Sequence, residues 1–355
     1  MRATTVAFGR RLDIVQVAGA SLSDFAADVA SAWCRSPKRR IPPKYFYDAA
    51  GAELFEAITQ LPDYYLTRAE TEIITINARK IVAAFGAPLS LVELGNGSTL
   101  KTRLLIDAVL RAQNTLHFSA IDVSRETLIA SADELVATFP RLFMHALIGD
   151  YFDVLESGAT EIDGRVKALA LCLGSNIGNY DARDAQRLIA AMATYLRPGD
   201  GVLVGVDKKK DRDTLERAYD DDGGVMRQFL MNLLTRMNRE LGADFRHDNF
   251  DLAIVGDEQG GRVDSFLRPR RTHDVTLLDG TFTIHFENAE LVPMESSFKY
   301  DPNDVARLAY RTGFKITNVW HDEAAKFASY LLVRRFDPSG NVIDLEARHL
   351  KIKPK

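Results

Sequence analysis

The chain has 355 residues, 46% hydrophobic and 26% charged, with a formal net charge of −4 and two cysteines. That length supports one large or two modest domains with a substantial core, and the slight acidity excludes broad nucleic-acid or polyanion binding, which needs a basic surplus. Cys34 and Cys172 lie far apart without metal-ligand spacing, so reduced thiols, no metal and a cytoplasmic setting are expected.

The first twenty residues carry no long apolar core before a cleavage-like site, so no signal peptide is expected. No run approaches the ~18 apolar residues that span a bilayer, so no membrane partner is expected. The first eighty or so residues read as helical and outside the main core. "RSPKRRIPPK", Arg35 to Lys44, reads as a solvated basic linker. From Leu89 the chain alternates apolar runs with helical patterns. "LSLVELG" precedes "TLKTRLLIDAVLRAQ", and "LHFSAIDVS" precedes "RETLIASADELVATF". "LFMHALIGD" follows, then "VKALALCLGS", "ARDAQRLIAAMATYL" and "GDGVLVGVD". Strands that are apolar throughout, separated by amphipathic helices, predict a parallel sheet covered on both faces. Such an α/β core binds ligands at the carboxyl ends of its strands.

"DKKKDRD", Asp207 to Asp213, reads as a solvated turn. Beyond it lie helices broken at Gly223-Gly224, then "DLAIVG", "RVDSFLRPR", "HDVTLL" and "FTIHFEN", an antiparallel pattern by period and turn chemistry. The α/β rhythm returns with "DPNDVARLAYRTG", "FKITNVWHD" and "FASYLLVRRF". The expected division is a core of residues 69–207 and 298–340. A smaller α+β substrate-binding or lid domain takes 1–68 and 208–297, and 341–355 forms a tail.

"LVELGNGSTLKTRLLIDA" is a strand, a glycine turn and a helix. Lys101-Thr102 follows Gly97 too late for a P-loop. Gly95 and Gly97 begin a dinucleotide turn, but Leu100 occupies its third glycine position. Acids surround the turn instead. Glu93 precedes it, Asp122 ends the second strand and suits ribose hydroxyls, and Asp150 ends the third, suited to an adenine amino group with Tyr151 stacking on the ring. Acids of this kind suit a phosphate-free nucleoside bearing a sulfonium cation, which is S-adenosylmethionine.

The chain resembles the L-histidine Nα-methyltransferase family of ergothioneine biosynthesis. The matching stretches are "PPKYFYDAAGAELFEAITQLPDYYLTRAE", the glycine turn, "LGSNIGN", "LERAYDDDGGVMRQF" with "NRELGADF", and "MESSFKY". The resemblance implies a Rossmann-like S-adenosylmethionine-dependent methyltransferase core with the smaller second domain. It implies that Gly95, Lys101, Asp122, Asp150 and Tyr151 hold the cofactor. Tyr64, Asn179 and Tyr219 would hold the amino acid's α-amino and carboxylate groups. Glu295 and Ser297 would grip the imidazole. Tyr47 would lie near the amine, and with Tyr64 and Asn179 it forms the expected catalytic group. The implied substrate is a free amino acid, L-histidine, carried to the Nα-trimethyl product. Methylation of another amino acid or an indole-like amine is the alternative, since related fungal enzymes methylate a tryptophan derivative. A monomer is favoured. The chain departs from the family's usual residues at Asn96, Asn176, Leu230 and Ser265. Asn96 in the glycine turn suits a positive φ.

The chemistry fits these residue types. Methyl transfer is an in-line displacement by a neutral amine, and orientation supplies much of the rate without a nucleophilic side chain. Asn179 can accept an N–H through its carbonyl or donate to a carboxylate through its amide.

Overall fold

The computed structural model describes residues 3–8, 11–17, 22–35, 37–86, 88–160 and 166–335. The expected tail, 341–355, lies outside them. The chain opens with strands β1 (Ala3–Phe8) and β2 (Leu12–Val17), then helices α1 (Leu22–Trp33), α2 (Ala49–Thr59) and α3 (Leu66–Ala83). An alternating segment follows: β3 (Leu89–Leu94), α4 (Leu100–Ala112), β4 (Leu116–Asp122), α5 (Arg125–Thr138), β5 (Leu142–Ile148), α6 (Tyr151–Ser157), β6 (Lys167–Cys172), α7 (Ala182–Tyr195) and β7 (Gly201–Asp207). Next come α8 (Arg212–Tyr219), α9 (Val225–Leu241), β8 (Phe250–Asp257), β9 (Arg262–Pro269), β10 (His273–Leu277), β11 (Phe282–Phe286) and β12 (Val292–Phe298). The chain closes with α10 (Pro302–Arg311), β13 (Phe314–His321) and β14 (Phe327–Arg334).

Nine strands form one sheet in the order β1-β2-β5-β4-β3-β6-β7-β14-β13. Strands β2 to β7 are parallel to their neighbours, whereas β1, β14 and β13 pair antiparallel. Every residue of β3 and β7 is buried, as strands covered on both faces require. Along β6, Leu169 and Leu171 enter one apolar cluster while Ala168, Ala170 and Cys172 enter another. The strand order reverses at β3, with β4 on one side and β6 on the other. A crevice opens at the carboxyl ends of strands at such a switch point. This is the α/β core, parallel at its centre, that the alternation predicts.

A third apolar cluster lies mostly beyond the sheet and meets it at Phe327 of β14. It gathers Trp33, Phe46, Phe229, Phe250 and Phe286, from the N-terminal helical segment, α9 and the antiparallel strands. Those strands form a three-stranded sheet, β12-β9-β8, and a hairpin, β10-β11.

Three expectations need correction. The first eighty or so residues are not all helical and outside the core. β2 runs beside β5 and sends Ile14 to one face of the main sheet and Val17 to the other. Helix α3 likewise buries Ile74, Ala78, Ile81 and Val82 against the main sheet. Without β2, the edge of β5 would leave a row of backbone groups unpaired, a demand that no local pattern announces. The alternation also passes over β12. Its register shifts between Pro293 and Glu295, and such a bulge breaks the two-residue period. The basic "RSPKRRIPPK" stretch is not simply solvated: Lys38 pairs with Glu290 at 2.8 Å, Ile41 is buried, and Arg40 lies over the Phe298 ring. Among the described residues no helix is long and apolar enough to cross a membrane.

Candidate active site

A cleft of about 780 Å³ opens at the carboxyl ends of β3, β4 and β6 and runs beneath α2, α9 and β12. All eleven candidate residues line it: Gly95, Lys101, Asp122, Asp150 and Tyr151 toward the sheet, and Tyr47, Tyr64, Asn179, Tyr219, Glu295 and Ser297 toward the third cluster.

Gly95 turns the chain away from β3 at φ 78°, in the left-handed region. A Cβ there would sit 2.5 Å from the Tyr151 hydroxyl and 2.6 Å from Asn176 Nδ2, so any other residue would strain the turn and displace those side chains. Asn96 does not adopt the positive φ expected of it. It is buried and donates through Nδ2 to Ser131 Oγ at 2.6 Å, tying the turn to α5. Asp122, at the end of β4, accepts from the backbone N–H of Ser124 at 2.9 Å and of Gly97 at 3.4 Å. Burial pushes its carboxyl up, against those N–H groups, which favour the charged form. Asp150 caps α6 through Phe152 N at 2.9 Å. Lys44, carried in by the basic stretch, comes within 3.9 Å of its other oxygen. The Tyr151 hydroxyl accepts from Asn176 at 2.8 Å.

Lys101 aims its ammonium at Glu70 Oε2, 2.5 Å away, and Glu70 also accepts from Gly174 N at 2.6 Å. Glu70 is fully buried on α3, and a Cβ at Gly205 would collide with it. The sequence reading did not single out Glu70. Its only signal is an acid on the apolar face of a helix. Glu93 is buried under the turn and accepts from Thr102 Oγ1 at 2.7 Å. Its other oxygen has no hydrogen-bond partner among the described residues. Burial pushes the Glu93 carboxyl up to about 8. An unmatched acidic oxygen lining the cleft, beside a turn with no room for a Cβ, fits a cationic nucleoside cofactor.

The far end of the cleft is aromatic. Tyr47 meets Phe55 and Phe229 edge-on, with centroids 5.5 Å apart in both pairs, and Tyr64 meets Tyr219 at 6.1 Å. Burial pushes the Tyr47 and Tyr64 phenols well up. Burial thus favours the neutral form of both phenols. Tyr219 Oη and Ser297 Oγ lie 2.7 Å apart, and Lys299 Nζ donates to both, at 2.8 and 2.7 Å. Glu295 follows the β12 bulge, and burial pushes its carboxyl up to about 7 while the Lys299 charge pulls it down.

Lys299 and Asp207 went unnoticed in the sequence. Asp207 falls in "DKKKDRD", and the solvated turn expected there is a correction. The Asp207 carboxylate is fully buried, 3.0 Å from Lys299 and 2.5 Å from Lys210, and it accepts from the Tyr65 hydroxyl at 3.0 Å. Two ammonium groups face this one carboxylate. Ser265 and Leu230, two of the departures, do not line the cleft: Leu230 is fully buried in the third cluster, and Ser265 pairs with Glu295 across β9 and β12.

Residues 25–334 match the profile of histidine-specific, S-adenosylmethionine-dependent methyltransferases. A histidine N-alpha-methyltransferase of Mycolicibacterium smegmatis is 36% identical over 307 residues, spanning 86% of this chain and 94% of that one. The protein of the same name from Mycobacterium tuberculosis is 37% identical over 307 residues, with the same coverage of 86% and 94%. Ergothioneine biosynthesis protein 1 of Neurospora crassa is 31% identical over 287 residues, 79% of this chain and 32% of that one. With its Rossmann-like core and its cleft at the switch point, this chain belongs to the histidine-specific, S-adenosylmethionine-dependent methyltransferase family.

Proposed function

We propose that this methyltransferase acts on the α-amino group of free L-histidine and carries it to the Nα-trimethyl product. The observation that carries this reading is the pairing of Glu295 with Ser297 on one strand at the aromatic end of the cleft. A carboxyl poised near neutrality and a hydroxyl polarised by Lys299 suit the two nitrogens of an imidazole, one N–H and one lone pair.

When bound, S-adenosylmethionine supplies a methyl carbon on a sulfonium, and the C–S bond electrons return to sulfur as the amine lone pair takes the methyl. Gly95, Asp122, Asp150 and Tyr151 hold the nucleoside, and Lys101, steadied by Glu70, faces its amino-acid end. Tyr64, Asn179 and Tyr219 orient the substrate's amine and carboxylate. The neutral Tyr47 and Tyr64 rings also favour each methylated ammonium. In this reading the N-terminal helices and residues 208–297 form the substrate-binding half, and the described residues of 69–207 and 298–335 form the cofactor-binding half.

The test is mass spectrometry of the purified protein with S-adenosylmethionine and an equimolar pool of amino acids. Histidine alone is expected to gain up to three methyls. Methylation of a different amino acid refutes the histidine assignment and leaves the transferase standing.

A further inference from the structure

Asn176 opens a short 3-10 turn, Asn176–Asn179, directly after two left-handed residues, Gly174 (φ 72°) and Ser175 (φ 56°). Its side-chain amide has three partners. Nδ2 donates to the backbone carbonyl of Leu94 at 3.2 Å and to the Tyr151 hydroxyl at 2.8 Å. Oδ1 accepts from Asn179 Nδ2 at 3.3 Å. A backbone carbonyl can only accept, so the side of Asn176 facing Leu94 must be its NH2 group. Its oxygen is thereby turned toward Asn179, and Asn179 can answer only with NH2. The carbonyl oxygen of Asn179 is then the atom left for the cleft that this residue lines.

We propose that Asn176 is a positioning residue that sets the amide of Asn179, so that a carbonyl oxygen rather than an NH2 group meets the substrate amine. The proposal rests on reading the cleft as a site of α-amine methylation, and it decides which of the two roles open to Asn179 is used. In each transfer the amine lone pair forms the N–C bond, the C–S bond electrons go to sulfur, and a proton leaves the new ammonium for water where one is present. An acceptor on an N–H holds the amine so that its lone pair points at the methyl carbon. The unmethylated amine brings two N–H groups to the reaction, the monomethyl amine one, and the dimethyl amine none. Asn176 therefore assists the first two transfers and not the third. The Leu94 carbonyl and Tyr151 belong to the cofactor end of the cleft, so one amide links the two subsites.

The experiment compares histidine with Nα,Nα-dimethylhistidine as substrates for the wild type, Asn176→Leu and Asn176→Ala. The leucine keeps the bulk of the side chain, and the alanine leaves space in case the leucine strains the turn. In either variant kcat/KM for histidine is expected to fall about tenfold or more, the worth of one oriented hydrogen bond. For dimethylhistidine it should stay within about twofold. An equal loss on both substrates, which leaves their ratio unchanged, or no loss on histidine in either variant overturns the proposal. Wild-type turnover tests the functional reading separately. If the wild type methylates another amino acid, the same ratio is measured with that amine and its dimethyl form, and the same outcomes decide. A wild type that methylates no α-amine overturns both.

Discussion

Lys299 and Asp207 form a 3.0 Å ion pair in which neither side chain reaches solvent. The pair joins the end of β7 to the strand that carries Glu295 and Ser297. Lys299 also donates to Tyr219 and Ser297, so one buried cation anchors two side chains at the aromatic end of the cleft. Lys299→Met leaves Asp207 with Lys210 and Tyr65 alone. Breaking one side of a buried pair costs about 3–5 kcal/mol, whereas replacing both sides costs much less. Urea unfolding is expected to place Lys299→Met well below the wild type, with the Lys299→Met, Asp207→Asn double variant losing less than the sum of the singles. Additive losses would mean that the pair is not coupled.

Glu93 gives the cofactor-free protein a pH signature. Its folded value of about 8 lies above the unfolded carboxylate value of 4.5, so the folded state holds the extra proton between them. Its contribution to stability is complete below the unfolded value and is lost as pH rises through the folded one. Urea stability measured from pH 5 to 9 should therefore fall more steeply for the wild type than for Glu93→Gln, which cannot titrate. Parallel curves would remove Glu93 as the source.

Glu295 carries the expected preference for an imidazole. Glu295→Ala is predicted to lower kcat/KM for histidine by about 10- to 100-fold, the ~1.5–3 kcal/mol of a charge-assisted hydrogen bond. Because the carboxyl titrates at about 7, its acceptor form grows as pH rises through that value. The ratio of wild type to Glu295→Gln activity should increase across the same interval. A ratio that does not change with pH would place the carboxyl outside imidazole recognition.

Gly95 tests the cofactor turn. Alanine there would take φ 78° and bring its Cβ onto Tyr151 and Asn176. Calorimetric titration of Gly95→Ala with S-adenosylmethionine is expected to show affinity reduced by at least about tenfold, from strain and displaced walls. Wild-type affinity in this variant would show that the turn does not form the cofactor site.

Much of this was legible locally. The apolar runs from Leu89 to Asp207 are strands, and Gly223-Gly224 separates α8 from α9. The glycine turn and the acids Glu93, Asp122 and Asp150 do meet at one cleft. These features are written in short periods, because a buried parallel strand must be apolar on both faces and a glycine turn needs a residue without a Cβ.

What the chain alone determined is thus the alternating core, the family resemblance and the identity of the residues around the cleft. Only the tertiary structure decided that β2 closes the edge beside β5 and that Glu70 secures Lys101. Only it turned Asp207 from an apparent surface charge into a buried partner of Lys299, and set the direction of the Asn176 amide. Each of these joins residues distant in sequence or depends on which way a side chain faces. A buried polar group takes whatever partner the fold brings within about 3 Å, and residue spacing along the chain carries no record of that distance.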